Sequence, residues 1–274
     1  MIAIVGGGRM GRGLAGALSA AGERVVLWSR REATGAVDAA VDGAGTIILA
    51  VPDDVIGVLA VDLQRMGAVE AGQVVLHLSG LHGRDALAPL APTGAALGSL
   101  HPLQTVSDPE TAALRWRGAY AAVEGDERAR AEGERLARLL GLTPFPLSAD
   151  QKAAYHAGAV LVGNYAVALA GAAARLAKGA GVPADLAEKM YLPLLKGALE
   201  NLGRQPVASA LTGPARRGDV STIRAHLDAL SHGDRLLYAI LGLEAVRLAR
   251  EAGLDGEKAD EVERVLRGVV GASP

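Results

Sequence analysis

The 274-residue chain contains no cysteine, which removes disulfides, thiolate nucleophiles and the commonest zinc ligand sets together. Redox chemistry would need a borrowed cofactor, and no metal site is expected. Aromatic side chains are scarce too, with one Phe, two Trp and five Tyr making up 3% of the chain, so the core has to be built from small and aliphatic residues, over which helices can approach closely. Neither sign of charge dominates. A formal net charge of -2 leaves no basic excess to neutralise a phosphate backbone or to hold the chain on an anionic membrane, which argues against nucleic acid as a partner. Long hydrophobic runs are missing as well: none reaches the roughly 20 residues of a membrane span, and Ile2 opens an apolar run with no basic stretch and apolar signal region before it. A soluble, cytoplasmic protein without membrane contact is the expectation.

What the chain does contain is apolar material at 50% and charge at 21%, a globular balance with enough length for two domains. Residues 1 to 147 alternate between short continuous apolar runs and helical spacing. The runs are Ile2 to Val5, Arg24 to Trp28, Thr46 to Val51 and Gln73 to Leu78, with weaker ones at Ala95 to Leu100, Ala119 to Val123 and Thr143 to Pro146. Runs of this kind suit strands buried on both faces. Helical spacing lies between them at Gly11 to Ala21, Asp53 to Met66, Gly83 to Leu90 and Glu127 to Leu140. This alternation predicts an α/β domain with a doubly wound, mostly parallel sheet. From residue 148 to 274 the strand signals stop, and an all-helical domain is expected: helices at Ala149 to Ala180, Leu186 to Leu202 with a kink or break at Pro193, Val220 to Leu230, Asp234 to Ala252 and Glu257 to Leu266, with a loop from Gly203 to Asp219.

The strongest motif is Gly6-Gly7-Gly8-Arg9-Met10-Gly11, a G-x-G-x-x-G that follows one apolar strand directly and opens a helix. Gly6 can make the tight turn, Gly8 lets backbone approach a pyrophosphate, and Gly11 allows helix to pack on strand, while amides at the helix start face the phosphates. At the end of the second strand stand Ser29, Arg30 and Arg31, where an NAD site would carry an acid. A hydroxyl and guanidinium groups suit a 2′-phosphate, so NADP(H) is favoured over NAD. Val51-Pro52 and Ser79 close the third and fourth strands at the carboxyl edge of the sheet, where open α/β sheets bind ligands; Ser79 is either a contact or a cap.

Three residues are candidates for proton transfer. His101, in a polar stretch leaving a strand, could polarise a carbonyl or orient the nicotinamide amide, or simply anchor a loop. Lys152 and His156 are four apart on one helix face, with Asn164 two turns further on as a substrate contact. Arg216 and Arg217, in a loop rich in turn residues, could hold an anionic substrate or could belong to helix caps. The remaining histidines read as structural.

Taken with Val51-Pro52, the glycine loop and Ser29-Arg30-Arg31 resemble the superfamily of 6-phosphogluconate dehydrogenase-like, pyrroline-5-carboxylate reductase-like and ketopantoate reductase-like enzymes. His101-Pro102-Leu103-Gln104-Thr105 and Leu211-Thr212-Gly213-Pro214 look like a bacterial family of Rossmann-like proteins with their own helical carboxyl-terminal domain. The resemblance implies a Rossmann domain followed by a helical one, dimerisation through the latter, and a Lys-then-Asn pair four residues apart; Lys152 matches the Lys, while His156 stands where relatives have Asn. It further implies an NADPH-dependent reductase or the reverse dehydrogenase, acting on a small carbonyl or imine acid such as ketopantoate. The rival reading is a non-catalytic NADP(H)-binding sensor.

Overall fold

The computed structural model describes residues 1–32 and 35–271. Four apolar runs form the parallel strands β1 (Ile2–Val5), β2 (Val25–Trp28), β3 (Thr46–Leu49) and β4 (Val74–His77), joined by β5 (Ala96–Pro102), β6 (Tyr120–Gly125) and β7 (Thr143–Pro146). Their spatial order is β2-β1-β3-β4-β5-β6-β7, parallel throughout except for the β5–β6 pair. Alternate residues of each strand serve opposite faces. Ile2, Ile4 and Ile48 join one core with Leu14, Leu18, Trp116 and Leu136, whereas Ala3, Val5, Ile47 and Leu49 join another with Ile56, Leu63, Leu87 and Leu90. Strands that must be apolar on both sides read as unbroken runs, which is why the sequence exposed them.

Helices α1 (Arg9–Ala20), α2 (Val37–Val41), α3 (Asp53–Arg65), α4 (Ala112–Trp116) and α5 (Glu127–Leu139) complete this region. One predicted α-helix is a different element: Arg84–Thr93 is 3₁₀, with Pro89 and Pro92 inside it removing the amides that an α-helix would use. The order reverses at β1, with β2 on one side and β3 on the other. The crevice at the carboxyl ends of β1 and β3 is therefore the expected ligand position of such a sheet.

The chain divides into two compact units, Met1–Ala166 and Val167–Pro274. Helix α6 (Lys152–Gly179) begins in the first; α7 (Ala184–Ala187), α8 (Leu192–Arg204), α9 (Val207–Ala210), α10 (Pro214–Arg217), α11 (Val220–Ala229), α12 (His232–Glu251) and α13 (Gly256–Gly271) belong to the second. Pro193 sits in the first turn of α8, where its missing amide is harmless, so the predicted helix from Leu186 to Leu202 is divided there and not kinked. The expected loop from Gly203 to Asp219 contains α9 and α10, one-turn helices too short to show a period. In the second unit α11, α12 and α13 enclose their own core of Ile223, Leu227, Ala239, Val246, Val262 and Leu266.

The segment Ala149–Gly179 corrects one expectation. Among the described residues it is the one helix long and apolar enough, by length and composition, to cross a membrane, with a mean hydropathy of 1.6 over its most apolar window. His156 and Asn164 interrupt the apolar run in sequence, yet the average stays high. Its first turn is anchored in the first unit, where Lys152 is fully buried.

Candidate functional site

The glycine turn is shaped by close approach. Gly6 has φ of +130°, and a Cβ there would lie 2.2 Å from the Ala50 carbonyl oxygen; a Cβ at Gly11 would lie 1.9 Å from the Gly6 carbonyl oxygen. Side chains at these two positions would push β1, β3 and α1 apart. Gly8 differs, because a Cβ built on it meets nothing within 4 Å and would project into open space. Gly8 is also the N-cap of α1, which has no side-chain cap and no acid in its first turn, so no side chain competes for the first amides of the helix. They border a cleft of about 350 Å³ lined by Gly8, Arg9, Met10 and Val51, with Ala50, Asp53, Leu78 and Val106 completing its wall. Pro52 flanks it as the N-cap of α3. An open backbone cradle at a helix start, beside a strand switch point, fits a dinucleotide pyrophosphate.

Ser29 packs against the same turn, its Oγ 2.5 Å from where a Gly7 Cβ would be. Arg30 and Arg31 are exposed, and among the described residues neither enters an ion pair. The nearest acid, Glu32, is held by Arg12 at 2.5 Å, and that contact holds the Glu32 carboxyl below its ordinary range. Two cations are thus left open beyond β2.

Beyond β4, the turn of residues 77–84 is fixed from four directions. Neutral His77 accepts from the Ser79 amide through Nδ1 (3.2 Å), and its Nε2 meets the Gly83 carbonyl (3.0 Å); burial pushes its pKa down to about 4. The Ser79 hydroxyl accepts from the amides of Leu81 (3.1 Å) and His82 (3.0 Å). Glu124 Oε2 accepts from the Arg84 amide at 2.7 Å. Lys152 Nζ donates to the Ser79 carbonyl at 3.0 Å and to Ser99 Oγ at 2.8 Å. Ser99 in turn lies 3.5 Å from Glu124 Oε2, so a hydroxyl bridges a buried ammonium and a buried carboxylate. Burial pushes Lys152 down to about 8, with Glu124 opposing the shift; at neutral pH it stays charged. Ser79 is therefore a turn residue, its hydroxyl used within the turn.

This turn presents Gly80 beneath two imidazoles. A Cβ on Gly80 would sit 2.4 Å from His156 Nδ1 and 2.8 Å from His101 Nε2, so only glycine lets both rings lie over the backbone. His101 Nδ1 and the Tyr155 hydroxyl are 2.8 Å apart. Burial, then His156 and Lys152, push His101 down to about 4, and burial pushes Tyr155 up to about 12. The couple is thus neutral imidazole and intact phenol. In either tautomer one proton lies between the two groups, leaving a second, transferable one on Nε2 or on the phenol. His101, Tyr155, His156 and Asn164 line a cavity of about 580 Å³ with apolar walls from Leu103, Val160 and Val162. It adjoins the glycine-turn cleft along the chain: Thr105 lines the cavity and Val106 the cleft.

The structure thus brings His101, His156 and Asn164 to one cavity and sets Lys152 beneath it, outside its lining. Arg216 and Arg217 lie in the second unit. There Arg216 donates to the Ala252 carbonyl at 2.9 Å, at the carboxyl end of α12 where a cation opposes the helix dipole, and Arg217 is 3.9 Å from Asp219. Sequence reasoning missed Tyr155 and Glu124. Glu124 carried a signal, being the one acid in the strand Tyr120–Gly125; Tyr155 carried none, since its partner is 54 positions away.

Residues 1–102 match the family described as Rossmann-like domain, and residues 119–265 match Domain of unknown function (DUF2520). No curated protein is significantly similar to the chain. Among solved structures, the chain is similar to protein TM1727 from Thermotoga maritima (23% identity over 99% of each chain, TM-score 0.64). It is similar to a putative NADP oxidoreductase, BF3122, from Bacteroides fragilis (21% identity, 90% of this chain and 97% of that one, TM-score 0.66). A third is the pyrroline carboxylate reductase of Plasmodium falciparum with NADP bound (11% identity, 96% and 97%, TM-score 0.62). These likenesses are of fold. Because the second match spans more than half of the sequence, the chain belongs to the DUF2520 family, with a Rossmann-like domain in front.

Proposed function

We propose that the chain is an NADPH-dependent reductase that delivers hydride to the carbonyl or imine carbon of a small molecule. The observation that carries this reading is the adjacency of the open Gly8 cradle and a cavity walled by the neutral His101–Tyr155 couple. NADPH, when bound, supplies the hydride. The first-turn amides of α1 hold the pyrophosphate, and Arg30 and Arg31 hold the 2′-phosphate with Ser29. His101 and Tyr155 give a proton to the substrate oxygen or nitrogen as charge develops there. His156 shapes the same wall, and Lys152 acts through the Ser79 carbonyl, fixing the turn beneath the imidazoles. The names of two fold relatives, an NADP oxidoreductase and a reductase with NADP bound, support this reading.

Titration of the protein with NADPH and NADH tests it. Arg30→Ala should weaken NADPH about tenfold or more, on the order of 1.4 kcal/mol, and leave NADH within about twofold, since NADH has no 2′-phosphate. Equal effects on both would remove the 2′-phosphate assignment, and no binding of either would end the reductase reading. Tight NADPH binding without turnover on any carbonyl or imine would favour the sensor.

We propose further that a second copy of the chain covers the apolar faces of the second unit. Val167 is 73%, Leu194 71% and Leu199 57% exposed, and α8 has no buried residue; apolar surface concentrated in this way marks an interface. Sedimentation should give twice the 27.9 kDa chain mass, and a monomer at micromolar concentration would refute the assignment.

A further inference from the structure

The family resemblance implies a carboxylate-bearing substrate, and the cavity does not supply what a carboxylate needs. Among the described residues no Arg, Lys, Asp or Glu lines it. The polar residues of its lining are His101, Tyr155, His156, Gln104, Thr105 and Asn164. A carboxylate seated on this wall would give up part of its hydration against apolar side chains and meet no cation in return, an unfavourable exchange. The two arginines that the sequence offers for an anionic substrate lie elsewhere: Arg216 donates to the Ala252 carbonyl and Arg217 is close to Asp219. Arg9 lines the glycine-turn cleft and not this cavity. An iminium cation would be equally unpaired, with no acid facing it.

Resting on the reductase reading above, we infer that the substrate is an uncharged ketone or aldehyde with an apolar body, seated with its carbonyl at His101 and Tyr155 and a hydrogen-bonding substituent within reach of Asn164. Leu103, Val160 and Val162 supply the apolar contact, and a volume of about 580 Å³ is of the size that holds a small organic molecule. In the reduction the carbonyl carbon gains a C–H bond from the cofactor's hydride, and the C=O π pair moves onto oxygen. That oxygen takes a proton from the His101–Tyr155 couple, which recovers one from water. The ketone becomes a secondary alcohol, or an aldehyde a primary one, as the dihydronicotinamide is oxidised. Neutral groups suffice for both transfers, because the developing alkoxide is protonated as it forms.

A matched pair of probes isolates the charge. Benzyl methyl ketone and phenylpyruvate share the ring and the carbonyl and differ in a methyl against a carboxylate. Calorimetric binding of each, to the full chain with and without oxidised NADP, should show the ketone bound at least tenfold more tightly. Thr105→Arg, which sets a guanidinium in the exposed rim of the cavity, should narrow or reverse that ratio by at least tenfold. Preference for phenylpyruvate in the unaltered protein, an unchanged ratio in Thr105→Arg, or binding of neither probe would each overturn the inference. Ketone binding that survives while no nicotinamide nucleotide binds would break the reductase reading and leave the cavity's preference standing.

Discussion

Lys152→Met should destabilise the chain by about 1–3 kcal/mol, the cost of leaving the buried Ser79 carbonyl and Ser99 hydroxyl without their donor. The ammonium is fully buried and has two acceptors, the Ser79 carbonyl and Ser99 Oγ. Methionine fills a similar volume and satisfies neither, and Glu124 behind Ser99 loses its countercharge. Urea unfolding measures the loss, and pH gives it a signature. Lys152 is pushed from 10.5 down to about 8, so between those values the unfolded chain binds more protons at this position than the folded one. The folded protein therefore gains stability as pH rises through that window, and below about pH 8 the full desolvation cost of the ammonium is present. The variant should lack this alkaline gain. If Lys152→Met unfolds at the same urea concentration as the parent, with the same pH profile, the ammonium is not what fixes the turn of residues 77–84.

That turn also shows where sequence reading stops. Lys152 and His156 both lie on α6, and their spacing of four, which sets them on one helix face, is a local property of the backbone. Their surroundings are not local. Lys152 meets Ser79 and Ser99 across 73 and 53 positions, and this decides that one cation is buried under the turn while its neighbour lines a cavity. The same limit hid the couple formed by His101 and Tyr155. Strands β1, β3 and β4 are legible to within two residues because burial on both faces leaves an unbroken apolar run, and the half-buried edge strand β2 is apolar enough to read the same way. The 3₁₀ segment Arg84–Thr93 was not, since apolar spacing cannot distinguish it from an α-helix and only Pro89 and Pro92 carried the difference. The division between α7 and α8 was readable from Pro193 alone, but the choice between a kink and a break depends on what packs on either side.

Gly11→Ala and Gly8→Ala should separate what the glycine turn does for the fold from what it does for a ligand. A methyl at Gly11 would stand 1.9 Å from the Gly6 carbonyl oxygen, a backbone atom that cannot move without shifting β1 against β3. Overpacking of this kind costs about 1–3 kcal/mol, so this variant should melt earlier and lose NADPH with it. At Gly8 the backbone is extended, with φ -71° and ψ 178°, which any residue adopts, and a methyl there meets nothing within 4 Å. The fold should be unchanged to within about 0.5 kcal/mol. The methyl would nevertheless occupy the space through which a pyrophosphate has to approach the first amides of α1. NADPH affinity should therefore fall about tenfold or more, on the order of 1.4 kcal/mol, in a protein whose unfolding curve overlays the parent's. Such a pair of results can arise only if the empty space over Gly8 is where phosphate sits. A Gly8→Ala protein that binds NADPH as tightly as the parent would place the nucleotide elsewhere, and the glycines would then serve packing alone.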